Sequence, residues 1–192
     1  MGSDFYGYYV PYEDDKNNAL QKLRQREFKA GRYDLGWRNF AIVTFEHGIM
    51  DDPANVPSPG CKHHTIEEAL AETGDGTQSI LDLTKVIEGD AKPTPKRSDK
   101  VIEFPGSTKV NLQDYMLQYL SESMKDCGIA RVPSSETLIK YLGTDKPTRK
   151  QLTDGIWDYF NDIEHIRGTG VCITLYEDGQ PTELFFGGWS YD

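Results

Sequence analysis

Apolar side chains recur along this chain with helical spacing in some segments and with strand-like spacing in others. The clearest helical stripe lies between Thr148 and Ile166, and its members are Leu152, Ile156, Tyr159, Phe160, Ile163 and Ile166. Residues three and four positions apart share one side of a helix, so this stripe predicts an amphipathic helix. Thr148 and Gln151 have the spacing of a capping box, which places the start of the helix.

Four more helices are predicted where a polar capping residue precedes a segment with helical periodicity. Asp14 or Asp15 caps the first of them, and Gly31 follows its last residue. Thr65 and Glu68 have the spacing of a capping box at the start of the second. In chain order the four helices span Lys16 to Ala30, Thr65 to Thr73, Asn111 to Cys127 and Ser135 to Leu142.

Strands are predicted at the start, in the middle and at the end of the chain, where β-branched and aromatic residues are dense. They span Tyr6 to Tyr12, Phe40 to Phe45, Ser79 to Ile87, Val171 to Tyr176 and Pro181 to Trp189. The last two flank Asp178 and Gly179, a pair typical of a two-residue hairpin turn. Such a turn predicts one buried face on which the opposed pairs are Val171 with Phe186, Ile173 with Leu184 and Leu175 with Thr182.

This order of elements favours an α+β fold, in which helices pack against a largely antiparallel sheet that includes the C-terminal hairpin. We expect a single domain over residues 1–192 with about four to five helices. A chain of this length can bury a core without disulfides or a structural metal. Segments near 46–64 and 88–107 contain prolines and charged residues and are predicted to be loops or linkers.

Charge restricts the partners that this chain can bind. The sequence has 31 acidic and 21 basic side chains and a formal net charge of -10. This surplus repels nucleic acid phosphates and anionic lipid, so neither nucleic acid nor a membrane is expected as a partner, whereas a basic protein is compatible with it. No apolar run approaches the roughly 20 residues needed to span a bilayer, and no secretory signal pattern is seen. The three cysteines are far apart, which favours a reducing, cytoplasmic compartment.

Recognisable catalytic and cofactor motifs are absent from the sequence. It has no phosphate-binding loop, no dinucleotide fingerprint, no GxSxG and no HExxH pattern, so no cofactor is expected and no catalytic residue is assigned. Cys61, His63 and His64 are residue types that bind zinc, but they lack the paired spacing of a structural zinc site. The sequence therefore favours a surface loop without a metal. A catalytic cysteine would require a histidine base beside it in space.

Basic residues are concentrated in the first long helix of this otherwise acidic chain. On a helical wheel, however, Glu27 falls inside the apolar stripe and Arg24 lies at its edge. Charged groups in such positions are costly to desolvate unless other groups satisfy them, and they are more common at functional or strained sites. Two interpretations stay open. One is a structural ion pair that ties the helix end to Arg32, and the other is a polar ligand pocket that also includes Thr77 and Ser79.

Four segments resemble a family of uncharacterised bacterial proteins, of the kind found in actinobacteria and cyanobacteria. The segments are Val10 to Tyr12, Arg26 to Tyr33, Gly76 to Asp82 and Asp178 to Asp192. The resemblance implies that both ends of the chain belong to one domain. It carries no known activity and therefore implies no catalytic residue.

Two classes of function fit these observations. The first is a non-catalytic protein-binding module, of the immunity or adaptor type, that covers a basic partner with an acidic surface. The charge, the size and the lack of a catalytic motif favour this class. The second is an enzyme or small-ligand-binding protein with a polar pocket near Arg24, Glu27, Arg32 and the Gly76–Ser79 loop. Exposed aromatic residues on an acidic surface would favour the first class, and a deep pocket would favour the second.

Overall fold

The computed structural model describes residues 5–33, 60–73, 76–77, 79–91, 127–162 and 168–189. Within these ranges the chain forms one sheet of five strands, four α-helices and a single 3₁₀ turn. In chain order the elements are β1 (Phe5–Pro11), α1 (Lys16–Ala30), α2 (Ile66–Glu72), the 3₁₀ turn (Ile80–Asp82), β2 (Lys85–Glu88), β3 (Ile129–Val132), α3 (Ser135–Leu142), α4 (Arg149–Asp162), β4 (Gly170–Glu177) and β5 (Gln180–Trp189).

The sheet has the strand order β1-β5-β4-β3-β2 and mixes the two kinds of pairing. β1 and β4 both pair antiparallel with β5, whereas β3 pairs parallel with both β4 and β2. The predicted α+β class is confirmed, and β1 is an edge strand as its proline suggests. The expectation of a largely antiparallel sheet is wrong. A long stretch of chain separates β2 from β3, and two helices separate β3 from β4, so neither connection is a hairpin and parallel pairing is possible.

Helices cover both faces of the sheet, so the described chain has three layers. Helices α1 and α2 and the 3₁₀ turn pack on one face, which we call the α1 layer, and α3 and α4 pack on the other, which we call the α4 layer. Successive residues of a strand point to opposite faces, so β4 and β5 supply side chains to both cores. On β4, for example, Cys172 faces the α1 layer, while Val171 and Ile173 face the α4 layer.

Capping interactions place the helix ends as predicted. Asp15 caps α1 by accepting a hydrogen bond from the Asn18 N–H at 3.0 Å, and Gly31 follows the helix with a φ of 67°. Thr148 and Gln151 cap α4 reciprocally. Gln151 Oε1 accepts a hydrogen bond from the Thr148 N–H at 2.9 Å, and Thr148 Oγ1 accepts one from the Gln151 N–H at 3.3 Å.

Several predicted segments lie outside the described residues. They are the strand at 40–45, the helix at 111–127, the last residues of the helix predicted to end at Ile166 and most of the two linker-like segments. The shorter helices predicted after Thr65 and from Ser135 to Leu142 are confirmed as α2 and α3. Among the described helices, none combines the length and the apolar character that crossing a membrane requires.

The strand predicted from Ser79 to Ile87 is wrong over its first half. The chain forms the 3₁₀ turn first, and β2 begins only at Lys85. Ser79 Oγ accepts a hydrogen bond from the Leu81 N–H at 3.2 Å, and this side-chain cap favours a turn over an extended chain. A short apolar run does not by itself distinguish a buried turn from a strand. Strand β3 has four residues, too few to show a strand period in the sequence.

The C-terminal hairpin turns at Asp178 and Gly179 as predicted, because Glu177 pairs with Gln180 across a two-residue loop. The predicted register is wrong beyond a bulge in the ladder. The register shifts between Leu175 and Tyr176, so Leu175 lies opposite Glu183 and the pairs that follow are Ile173 with Phe185, Cys172 with Phe186 and Val171 with Gly187. A bulge inserts one extra residue into one strand and is not visible in the apolar pattern.

The slipped register changes which side chains share a face. Leu184 and Phe186 face the α1 layer with Cys172, on the opposite side of the sheet from Val171 and Ile173. All of these side chains are buried, because both faces of the sheet are covered. Alternation of apolar and polar residues fixes a register only where one face is solvated. The prediction assumed one buried face, and that assumption fails here.

Glycines make room for a large aromatic side chain beside the candidate site. Gly188 of β5 lies between Tyr6 of β1 and Gly170 of β4 in the sheet register. A Cβ atom at Gly188 would lie 2.8 Å from the Tyr6 hydroxyl oxygen, and one at Gly170 would lie 2.7 Å from Leu83 Cδ1. Because glycine has no side chain at these two positions, Tyr6 and the chain after the 3₁₀ turn can pack directly on the sheet.

Candidate functional site

Glu27 is fully buried on the inner side of α1, as its position on the helical wheel predicts. Its carboxylate is paired by two arginines. Arg32 donates to it twice, from Nε to Oε2 at 2.6 Å and from Nη2 to Oε1 at 2.9 Å, and Arg26 Nε donates to Oε1 at 2.8 Å. Arg32 lies just past the helix end and is itself buried. The bidentate pair therefore fastens the chain after α1 back onto the helix.

Arg24 is also buried, but it does not pair with Glu27. Its Nη1 donates to Gln21 Oε1 at 2.8 Å, and its Nη2 donates to the backbone carbonyl oxygen of Leu81 at 3.0 Å. Its Nε has no hydrogen-bond partner among the described residues. Burial lowers the pKa of Arg24, and the negative charges of Glu67 and Asp82 oppose that shift. Arg24 thus connects α1 to the 3₁₀ turn rather than to Glu27.

Thr77 and Ser79 form a buried hydrogen-bond network with Asp82, a residue that the sequence did not single out. Asp82 Oδ1 accepts hydrogen bonds from the Thr77 N–H and the Thr77 hydroxyl, both at 2.7 Å. The Thr77 and Ser79 hydroxyl oxygens are 2.9 Å apart. Burial raises the pKa of Asp82, and the hydrogen bonds from Thr77 partly offset the shift. These hydrogen bonds therefore hold the segment from Thr77 to Asp82 together around the Asp82 carboxylate.

Two tyrosines of β1 complete the buried polar region. Tyr8 lies near both Glu27 and Ile80, and its pKa is raised well above the ordinary value, first by burial and then by the charge of Glu27. Tyr6 is fully buried, and its pKa is raised by burial and then by the charge of Asp82. The Tyr6 hydroxyl and Asp82 Oδ2 have no hydrogen-bond partner among the described residues.

The structure therefore places all five side chains named from the sequence, Arg24, Glu27, Arg32, Thr77 and Ser79, inside the α1 layer, each at most 9% exposed. They form two groups rather than one. Glu27 and Arg32 satisfy each other, whereas Arg24, Asp82 and Tyr6 each retain a buried polar atom without a partner in the described chain. An unpaired buried polar atom is costly, so only the second group has capacity left for a ligand. Ligand binding there stays a prediction.

A cleft of about 330 Å³ lies at a different place, between the start of α4 and the C-terminal hairpin. Arg149 at its edge lies over the Tyr9 ring, with 3.8 Å from the guanidinium carbon to the ring centre, and its Nη1 is 4.0 Å from Glu183 Oε1. The lining carries both signs of charge and consists of Thr148, Arg149, Lys150, Leu175, Tyr176, Glu177, Thr182 and Glu183. None of the five residues named from the sequence reaches this cleft.

Cys61, His63 and His64 lie in the segment that joins α1 to α2. His63 lies between the Tyr33 hydroxyl, 2.8 Å from its Nδ1, and Glu72 Oε2, 2.8 Å from its Nε2. The backbone N–H of His64 donates to Glu68 Oε2 at 2.7 Å. Among the described residues, no three His, Cys, Asp or Glu side chains are arranged to hold a metal ion.

The outer face of α4 carries an exposed aromatic ring among acidic side chains. Trp157 is 39% exposed, and the exposed Asp154, three residues earlier, lies beside it on the helix surface. Asp158, the residue after Trp157, is also exposed. Behind the indole, the Phe5 ring centre lies 4.9 Å away, and the Trp189 ring centre lies 6.4 Å away. The apolar pattern of α4 predicts its buried stripe and gives no signal for this surface.

Asp82 and the Tyr33–His63–Glu72 contacts are the polar features that sequence reasoning missed. A weak signal for Asp82 exists, because Thr77 and Ser79 precede an acid at a spacing that allows local side-chain hydrogen bonds. No sequence pattern indicates the contact between Tyr33 and His63, because it depends on how the chain returns to the end of α1.

Comparisons of the chain with protein-family models, with curated proteins and with solved structures found no match. The resemblance to a family of uncharacterised bacterial proteins therefore stays a prediction.

Proposed function

We propose that this chain is a non-catalytic protein-binding module that uses the outer face of α4 to bind a basic segment of a partner protein. One observation carries the proposal: Trp157 stands exposed on α4 between two exposed acidic residues of the same helix, Asp154 one turn before it and Asp158 directly after it. Exposed tryptophans are costly in water and are enriched among the residues that dominate protein interfaces. An aromatic ring beside two carboxylates matches an arginine or lysine side chain in shape and in charge.

Rigidity of the surface supports this role. The Trp157 ring rests against Phe5, and the Phe5 ring in turn contacts Phe160 with 5.1 Å between ring centres. A side chain held in this way loses little conformational entropy when a partner covers it. Neither Asp154 nor Asp158 has an ion pair within the described chain, so both carboxylates are available to a cationic partner. The formal net charge of -10 would also speed the encounter with a basic protein at low salt.

A titration with a short peptide of alternating arginine and serine tests the proposal. Binding is followed by NMR through the indole N–H of Trp157, which the Trp157→Phe variant assigns. We expect Trp157→Ala to weaken binding by about tenfold, since cation–π and packing contacts are lost. Asp154→Asn together with Asp158→Asn should mainly slow association and reduce its salt dependence.

Ile139→Ala is the matched control, because Ile139 is an exposed apolar side chain on α3, 53% exposed. This change should leave the affinity for the peptide unaltered. Equal affinity of the wild type and Trp157→Ala for the arginine peptide would contradict the proposal. So would binding of a glutamate peptide of the same length at the same strength.

A second candidate function is the binding of a small polar ligand within the α1 layer. The observation that favours it is the group of unpartnered buried atoms on Tyr6, Arg24 and Asp82. A tightly held ligand would appear as a mass difference between native and denaturing mass spectra of the purified protein. Asp82→Asn should remove that difference. Identical native and denatured masses for the wild type would rule out a tightly held ligand.

A further inference from the structure

Four side chains form a connected path from the surface to a shielded imidazole at the end of α1. The Tyr33 hydroxyl oxygen lies 3.8 Å from Cys61 Sγ and 2.8 Å from His63 Nδ1. On the other side of the ring, His63 Nε2 lies 2.8 Å from Glu72 Oε2. The path therefore contains a thiol, a phenol, an imidazole and a carboxylate in that order.

The fold around Gly31 holds these groups together. Gly31 ends α1 with a positive φ, and a Cβ atom at this position would collide with the carbonyl oxygen of Gly60. The Gly60 N–H donates to the Ala30 carbonyl oxygen at 3.3 Å, and the Lys62 N–H donates to the Tyr33 hydroxyl oxygen at 3.2 Å. The segment that carries Cys61 is thus attached to the C-terminal end of α1.

Burial differs sharply along the path. Cys61 is exposed, whereas the His63 side chain is 8% exposed and Tyr33 is 2% exposed. The Tyr33 ring stacks on Phe28 with 5.6 Å between ring centres. A reagent in solution can therefore reach the thiol directly, and the Tyr33 hydroxyl lies between the thiol and the imidazole.

The hydrogen bonds of the path determine which atom donates and which accepts at each contact. The ionised Glu72 carboxylate can only accept a hydrogen bond, so the hydrogen of the neutral imidazole lies on Nε2, which donates it to Glu72. Nδ1 is then the unprotonated ring nitrogen and accepts the hydrogen of the Tyr33 hydroxyl, whose oxygen accepts the Lys62 N–H. A carboxylate that orients an imidazole, which in turn faces a hydroxyl, is the arrangement by which proteins activate a nucleophile.

We propose that Cys61 is a reactive thiol that attacks low-molecular-weight disulfides, with His63 as the base and Tyr33 as the relay between them. At rest the thiol donates to the His63 carbonyl oxygen at 2.9 Å. Rotation about the Cβ–Sγ bond turns the same hydrogen towards the Tyr33 oxygen. Tyr33 receives this proton as it passes its own to His63 Nδ1, and the imidazolium that results faces the Glu72 carboxylate.

The exchange balances without a further reactant. The Cys61 thiolate attacks one sulfur of the disulfide, a new S–S bond forms and the original S–S bond breaks. The departing thiolate takes up one proton from solvent or from the His63 imidazolium. The products are a mixed disulfide on Cys61 and one free thiol. The charged groups around the path are Lys62 next to the thiol, Glu72 on α2, and Glu68, whose carboxylate is engaged by the His64 N–H.

The test measures the modification rate of each cysteine in the folded protein with oxidised glutathione as the probe and mass spectrometry as the readout. Cys172 is the internal reference, since it is buried and burial raises its pKa to about 12. We expect Cys61 to react at least about tenfold faster at neutral pH than the same residue in urea-unfolded protein, because the relay through Tyr33 lets His63 remove the thiol proton during the attack.

Variants separate a relay from a structural contact. His63→Gln should lower the Cys61 rate by about tenfold, whereas His64→Gln, the matched neighbour, should not change it. Tyr33→Phe should lower the rate by removing the hydroxyl between thiol and imidazole. If His63→Gln unfolds the chain, Cys172 becomes reactive. Glu72→Gln then tests the relay instead, because the Glu72 side chain is exposed and its replacement leaves the core intact. We expect this variant also to lower the Cys61 rate.

An unchanged Cys61 rate in His63→Gln or Glu72→Gln, with Cys172 still protected, would overturn the proposal. The same holds if folded Cys61 reacts no faster than in urea. Neither outcome affects the proposed binding surface on α4, which lies on the opposite face of the sheet.

Discussion

Buried tyrosine hydroxyls in this protein differ in whether they have partners. The Tyr6 hydroxyl has none among the described residues, while the Tyr33 hydroxyl accepts the Lys62 N–H and contacts His63 Nδ1. Burying a hydroxyl without a partner costs free energy, and a satisfied one contributes a little. The two side chains therefore allow a matched comparison in which each loses a single oxygen atom.

Tyr6→Phe is expected to leave the free energy of unfolding unchanged or to raise it by up to about 1 kcal/mol, because an unpaired hydroxyl is removed. Tyr33→Phe should lower it by about 1–2 kcal/mol, because two hydrogen-bonding groups lose their partner. Urea unfolding of both variants measures the difference. A loss on Tyr6→Phe as large as that on Tyr33→Phe would indicate a bound partner for Tyr6 and would favour the second candidate function.

Asp82 should give the pH dependence of stability an unusual sign. Burial raises its pKa above the ordinary value of 3.8, so the folded state binds its proton more tightly than the unfolded state does. The stabilisation from this proton is complete below 3.8 and is lost as the pH rises through the higher folded-state pKa. The Glu68 carboxylate acts in the opposite sense, since the hydrogen bond from the His64 N–H lowers its pKa.

Comparison of the wild type with Asp82→Asn isolates the Asp82 contribution, because the other carboxyl groups are common to both proteins. We expect the wild type to lose stability relative to Asp82→Asn as the pH rises from acid to neutral. Chemical denaturation at a series of pH values gives the difference directly. A difference that grows in favour of the wild type with rising pH would contradict a raised pKa for Asp82.

The C-terminal end of α1 depends on the pair formed by Glu27 and Arg32. Glu27→Gln removes the charge from a site with no access to water and leaves Arg32 incompletely paired. The free energy of unfolding should fall by about 1–3 kcal/mol. Asp154→Asn, an exposed change without a described partner, should cost little. Equal small effects in denaturant melts would show that the pair does not secure the helix end.

Helix α3 approaches α4 closely at Gly155. A Cβ atom there would lie 2.5 Å from the backbone carbonyl oxygen of Tyr141 and 2.9 Å from Leu142 Cδ2. Gly155→Ala should therefore destabilise the fold by about 1–3 kcal/mol through overpacking, although alanine favours helix formation by about 1 kcal/mol. Asn161→Ala, on the exposed side of the same helix, is the control. A more stable Gly155→Ala protein in thermal unfolding would show that the helices can separate without loss.

Helices were predictable from the sequence because their signals are local. The Thr148 and Gln151 capping box and the Gly31 stop act within one turn of the chain, and both are confirmed. Strand register was not predictable to the same degree, because a bulge near Leu175 and a second buried face depend on packing elsewhere. The 3₁₀ turn was missed since Ser79, rather than the apolar run after it, decides the local conformation.

The candidate site was predictable only in part for the same reason. Glu27 and Arg24 stand out because each breaks the apolar pattern of its own helix, and burial of both is confirmed. Their separate partners, Arg32 for one and the Leu81 carbonyl oxygen for the other, follow from tertiary contacts that no local pattern encodes. The same applies to the path through Tyr33 and His63.

At the scale of the whole molecule, the sheet separates two apolar cores, and among the described residues the side chains of one core do not contact those of the other. One core fills the α1 layer and the other fills the α4 layer. Stacked layers on a sheet lie roughly 10 Å from it on either side, so side chains of the two cores are too far apart to share contacts. Strands β1, β4 and β5 nevertheless contribute side chains to both cores, and we expect this to couple the two layers in unfolding.

Substitutions in the two layers should therefore be additive and should preserve a single unfolding transition. Leu20→Ala in the α1 layer should cost about 2–5 kcal/mol, and Ile156→Val in the α4 layer should cost about 0.5–1.5 kcal/mol, since both side chains are fully buried. The double variant should equal the sum within about 0.5 kcal/mol, because separated sites share no partner. In a Trp37→Phe background, the two remaining tryptophans, Trp157 and Trp189, report on the α4 layer by fluorescence, while circular dichroism reports on all helices. If the two probes give different midpoints in Leu20→Ala, the layers unfold separately, and the sheet does not couple them.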